Sequence, residues 1–92
     1  MNDNDVVRDL TLDGNAVAGL LEEVFGADMT TADGECAHCG SANAVGALRA
    51  YTRAPGVVLR CPACGGVIAR IVQTPRGTLV DLRGAAHLAV RR

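Results

Sequence analysis

The sequence predicts a small α+β domain, an N-terminal helix followed by an antiparallel β-sheet with cysteines at its turns. Three observations predict it. The chain has 92 residues and one Trp-free, aromatic-poor apolar set dominated by Ala, Val and Leu, so any core is thin. One stretch near the start repeats apolar residues at helical spacing, and the rest alternates between short β-rich runs and turn residues. All four cysteines fall between Cys36 and Cys64 as two CxxC pairs separated by 21 residues.

Residues 1–13, "MNDNDVVRDLTLD", are polar and acidic and read as a flexible arm. They lack the basic flank, apolar stretch and cleavage site of a secretory signal, and no apolar run approaches the length of a membrane span. The expected location is cytoplasmic, without membrane contact. Residues 14–26 read as an amphipathic helix packed on the sheet: Val17, Leu20, Leu21 and Val24 share one face, Asp13 or Asn15 can cap, Leu12 can staple, and Gly26 can end it. Gly19 inside that helix should cost about 1 kcal/mol relative to Ala, which close packing would explain.

From residue 27 to 92 the period is that of strands. "MTTA" reads as a short strand before a turn at Asp33-Gly34, "ALRAYTR" and "VVLR" as a hairpin about Pro55-Gly56, and "VIARIVQ" and "TLVDLR" as a second hairpin about Pro75-Arg76-Gly77. The tail "GAAHLAVRR" suits a strand or a short helix.

Charge divides the chain. Residues 1–35 carry nine acidic side chains against Arg8 alone, and residues 36–92 carry eight Arg against Asp81 alone, within a formal net charge of -1. Such asymmetry suits a basic binding face or two mutually attracting halves. All basic residues are Arg, which fits both a genome rich in G and C and Arg-based recognition.

The cysteines carry the chemistry. A CxxC turn brings two thiolates to one ion, two such turns complete a tetrahedral shell, and Gly40 and Gly65 let the chain reverse after each pair. Cys36, Cys39, Cys61 and Cys64 are therefore the expected ligands of one structural Zn2+, with no open position for hydrolysis. Stable disulfides do not suit a reducing compartment, and a thioredoxin-like site needs one CxxC near a βαβ pattern. A rubredoxin-like iron electron carrier uses the same four sulfurs, although such sites are rich in aromatic neighbours and this chain has one Tyr and one Phe. His38, inside the first turn, reads as an exposed neighbour and His87 as a core-edge residue. The remaining residues assemble no triad, carboxylate pair or phosphate loop, so the expectation is not an enzyme, with no small-molecule substrate.

The strings "CAHCG" and "CPACGG", followed by an alternating strand, resemble the zinc-ribbon superfamily over residues 36 to about 83. The implied fold class is small α+β, an N-terminal helix plus a zinc-ribbon antiparallel β-sheet, with residues 27–92 forming the ribbon and its C-terminal tail. "LDGNAVAGLLEEVFGADMT" and "APGVVLRCPAC" also resemble a small family of uncharacterised bacterial proteins described as a domain of unknown function. That resemblance implies a metal at the same four cysteines and brings no activity. Ribbons of transcription elongation factors carry an acidic pair at a hairpin tip, where this chain has Pro75-Arg76-Gly77.

Two functions follow. The first is a protein-interaction or regulatory module with an unnamed protein partner. The second is a nucleic-acid-binding ribbon for DNA or RNA, in which strand alternation puts Arg49, Tyr51 and Arg53 on one face. Four thiolates with Zn2+ contribute two negative charges, which reduces the ribbon's basic excess.

Overall fold

The computed structural model describes residues 12–53 and 55–90, so the acidic arm up to residue 11 and the last two arginines lie outside the described residues. The elements in chain order are β1 (Leu12–Asp13), a 3-10 turn (Gly14–Val17), α1 (Ala18–Phe25), β2 (Asp33–Cys36), β3 (Ala42–Ala44), a 3-10 turn (Val45–Ala47), β4 (Arg49–Tyr51), β5 (Val57–Arg60), β6 (Val67–Thr74), β7 (Gly77–Asp81) and β8 (Ala85–Ala89). They make one helix and two antiparallel sheets, a mixed α+β fold built mostly of strands.

The helical stripe folds as its spacing requires. Leu21 is fully buried, and Val17, Leu20, Val24 and Phe25 pack beside it on the core. Gly26 ends α1 in the left-handed region at φ 73°, donating its N–H to the Glu22 carbonyl. The N-terminus differs from expectation. Asp13 makes no capping bond, and Leu12 and Asp13 pair with Ala50 and Arg49 as a fifth strand, so they belong to the sheet rather than to an arm. Gly19 is exposed with open space about its Cα, so packing does not account for it.

"MTTA" is not a strand. The Asp28 carboxylate accepts hydrogen bonds from the Thr30 N–H and hydroxyl at 2.9 and 2.7 Å, and the Ala32 N–H closes a turn on the Met29 carbonyl. That local bonding outcompetes an extended chain. Asp33 and Gly34, expected as a turn, begin β2 instead, and Gly34 lets Leu88 of β8 approach: a Cβ there would lie 2.8 Å from its Cδ2.

The larger sheet runs β1-β4-β5-β6-β7 and the smaller β3-β2-β8. Both expected hairpins form, with Tyr51 opposite Val58 about the Pro55-Gly56 turn and Thr74 opposite Gly77 about Pro75-Arg76. Ala50, Leu59 and Ala69 stand opposite one another on one face, Val57 opposite Ile71, and all are buried against α1 and Met29. Between Leu21, Phe25, Met29, Ile68 and Ile71 the residual space is about 10 Å³, too small for a ligand.

The tail forms a strand, but not of the larger sheet. Arg83 and Gly84 turn it away from β7, and β8 pairs antiparallel with β2. Gly84 sits so close to β6 that a Cβ would collide with the Val67 carbonyl. His87, opposite Glu35, is exposed rather than at the core edge, because β8 borders the small sheet and only its Ala85 and Leu88 are half-buried. Among the described residues no helix is long and apolar enough to cross a membrane.

Candidate metal centre

Each cysteine pair lies in a turn that leaves one sheet. Cys36 is the last residue of β2 and Cys61 follows the last residue of β5, so the two turns arise from different sheets and meet. The pairing register shifts beside each: Glu35 and Cys36 face His87 and Ala85, and Leu59 and Arg60 face Ala69 and Val67, so the unpaired residues, Ala86 and Ile68, lie on the partner strands.

The two turns repeat one hydrogen-bond plan. The Gly40 N–H donates to the Cys36 carbonyl at 2.9 Å and the Gly65 N–H to the Cys61 carbonyl at 2.8 Å. The Cys36 N–H donates to Ser41 and the Cys61 N–H to Gly66, each at 2.9 Å. Gly40 and Gly65 have φ 77° and 76°, a conformation that penalises any side chain with a Cβ. The glycines expected after each pair are therefore required by the turn.

All four Sγ atoms lie within 4.8 Å of one another. Cys36 Sγ is 3.7 Å from Cys64 Sγ and Cys39 Sγ is 3.8 Å from Cys61 Sγ. A tetrahedron of thiolates about 2.3 Å from a central ion has edges of about 3.8 Å, so the sulfurs fit a single metal ion. Cys36 and Cys61 are buried and Cys39 and Cys64 exposed, which places the centre at the surface end of the inter-sheet seam. The Ala37 N–H, bonded to the Gly84 carbonyl at 2.8 Å, and His38 Nε2, 3.1 Å from the Val67 carbonyl, fasten the first turn across that seam. His38 is an exposed neighbour and not one of the converging donors.

Backbone amides point at the sulfurs. The His38 N–H donates to Cys36 Sγ and the Gly66 N–H to Cys64 Sγ, both at 3.3 Å. Desolvation disfavours the Cys36 thiolate, but the Cys39 and His38 amides and the thiols of Cys64 and Cys39 outweigh it, drawing its pKa to about 7. Cys61 is lowered by the Cys64 amide, against desolvation, with help from the Ala63 amide and the thiols of Cys39 and Cys64. At Cys39 the Ser41 amide favours ionisation, yet desolvation and the other three sulfurs push the pKa up to about 12. Four such thiols cannot all ionise at this separation unless a cation sits among them.

Of the other site residues expected from the sequence, Arg49 and Tyr51 do share the outer face of β4, with Ala50 between them buried. Arg53 does not join them. β4 ends at Tyr51, because the chain must turn at Pro55-Gly56 to bring Val58 opposite Tyr51, and Arg53 falls in the bend. The neighbour that reaches Tyr51 is Arg60, its guanidinium carbon 5.7 Å from the ring centroid. The pairing of VVLR with ALRAYTR contained that signal, since a turn at Pro55-Gly56 puts Arg60 opposite Arg49.

Fold and site together define a small α+β protein whose two sheets meet at four cysteines arranged to hold a metal ion. The chain belongs to a family of unknown function, DUF6510, whose model it matches over residues 7–92. Neither the curated proteins nor the solved structures contain a match to it.

Proposed function

We propose that the protein is a non-enzymatic, cytoplasmic module in which one structural Zn2+, held by Cys36, Cys39, Cys61 and Cys64, joins the two sheets so that their outer surfaces can contact another macromolecule. The observation that carries the reading is the match of the sulfur separations, 3.7 and 3.8 Å, to the edge of a zinc-thiolate tetrahedron. Four protein ligands fill the shell, so bound metal would supply cross-linking and charge neutralisation rather than a reactive water. The cysteine turns also carry the likeness to zinc ribbons.

Iron would fit the same sulfurs, and the experiment separates them. Elemental analysis and absorption spectra of untagged protein, purified without added metal, are expected to show one zinc per chain and no visible colour. Near-stoichiometric iron with a red colour, or metal-free protein with two disulfides, would overturn the zinc reading.

A further inference from the structure

The outer face of the five-stranded sheet is unusual in its charge. Arg49 of β4 stands directly opposite Arg60 of β5, and Arg70 of β6 stands opposite Val58, diagonal to Arg60. Like charges directly opposite one another destabilise a sheet. The acids on this face do not offset them fully. Asp13 stands opposite Arg49, and Asp81, opposite Arg70, is already engaged in a two-pronged pair with Arg83 at 3.0 and 2.6 Å.

Between the arginines the face is apolar and aromatic. Tyr51 and Val58 are neighbours across β4 and β5, Val72 stands opposite Leu79 across β6 and β7, and Leu79 is 66% exposed. Arg60 is pre-positioned: its Nη1 donates to the Gly65 carbonyl at 2.9 Å while its guanidinium lies over Tyr51. That leaves it several unused N–H donors and makes a stacked pair that a further flat ring can extend.

We propose that this face binds single-stranded nucleic acid, with Arg49, Arg60 and Arg70 on phosphates and a base stacked on the Tyr51–Arg60 pair. Two cations directly opposite across one strand spacing, about 4.8 Å, a third on the diagonal, and an aromatic beside them make the basic, stacking surface on which single strands bind. A duplex is disfavoured, because four adjacent strands span roughly 14 Å before side chains are added and the major groove is about 12 Å wide. The proposal names a partner for the module proposed above but rests on the sheet register rather than on the identity of the metal. Metal content and binding are therefore measured on the same samples, so that either reading can fail alone.

The test is fluorescence anisotropy of the metal-loaded full chain with labelled 12-mers of dT and rU, and with a duplex of the same length. Three phosphate contacts predict a log-log salt slope of about -2, so affinity for the single strands should drop roughly twentyfold between 50 and 200 mM salt. Arg70→Ala should weaken binding and flatten that slope by about 0.7. Tyr51→Ala should cost about tenfold with the slope unchanged. Arg76→Ala, which removes the same charge at the β6–β7 turn, should leave affinity within twofold. Arg60→Ala also removes the bond to Gly65, so Arg70→Ala, with unchanged amide spectrum and metal content, is the deciding variant. Absence of single-strand binding at 50 mM salt would overturn the proposal. So would equal losses for Arg70→Ala and Arg76→Ala, or equal affinity for the duplex and heparin with Tyr51→Ala silent. Displacement from this face by an acidic peptide but not by either oligonucleotide would assign it to a protein partner instead, which also overturns it.

Discussion

In the larger sheet, Ala50, Val57, Leu59, Ile68, Ala69 and Ile71 come from three strands and are all buried, whereas in the described strands of the smaller sheet only Cys36 is. The larger sheet closes on α1 through apolar area. The smaller, with strands of four, three and five residues, brings to that core, besides Cys36, only the half-buried Ala85 and Leu88, too little to hold it there alone. What it has is the first cysteine turn, the Ala37 and His38 contacts to the β7–β8 connection and β6, and the sulfurs themselves. Two sheets of one short chain thus depend on different physics, and the metal centre sits where the weaker meets the stronger.

The largest expected effect comes from breaking that junction. Metal binding in small thiolate sites is worth on the order of 10 kcal/mol in apparent free energy, comparable to the whole stability of a domain. Chelation, or Cys36→Ser, should therefore abolish hydrogen-exchange protection at the β2–β8 amides while a remainder persists at Leu59 and Ile71. Uniform loss in both sheets would show one cooperative unit and erase the contrast. Protection retained in β2–β8 would show that something other than metal holds the small sheet.

A core truncation in each sheet sharpens the comparison with metal bound. Ile71 is 1% exposed, and Ile71→Ala should cost about 2–5 kcal/mol by urea denaturation. Leu88 of β8 is half-buried against the same core, so Leu88→Ala should cost about 1 kcal/mol, in proportion to the apolar area it loses. Equal costs would mean that β8 contributes to the core as fully as β6 and that the small sheet does not lean on the metal.

The same contrast explains how much could be read from sequence. The helix and the β4–β5 and β6–β7 hairpins were legible because each writes a local pattern: apolar residues at i, i+3, i+4 and i+7 in one case, alternation about Pro-Gly or Pro-Arg-Gly turns in the others. The four cysteines were legible because CxxC spacing and the following glycine are local too. The small sheet was not. Its strands pair β2 with β8 across about fifty residues, its inward side chains are small, and Gly34 in mid-strand reads as a turn when taken alone. Arg53 escapes the pattern for a related reason: alternation predicts that it shares the face of Tyr51, but the approaching turn ends the strand there, and Arg60 becomes visible only through the cross-strand register.

The smallest effect lies at the covalent link between the sheets. Asp81 ends β7, and Arg83, in the turn to β8, donates its backbone N–H and its guanidinium to that carboxylate. The guanidinium hydrogen bonds, followed by the backbone bond, hold the Asp81 pKa at about 2, below its ordinary 3.8. A carboxylate with a depressed folded pKa contributes stability that is fully present above the unfolded value and is lost as pH falls from about 4 toward 2. Arg83→Gln should accordingly lower the melting temperature by a small amount that stays constant from pH 8 to pH 5, since that interval lies above the titration of Asp81 in either state. The amount should shrink with added salt, because the Arg83 side chain is 90% exposed and that of Asp81 34%. An increment that grows or vanishes between pH 8 and pH 5 would mean that Arg83 acts on the thiolates across the seam rather than on Asp81. The link would then belong to the metal centre and not to the larger sheet.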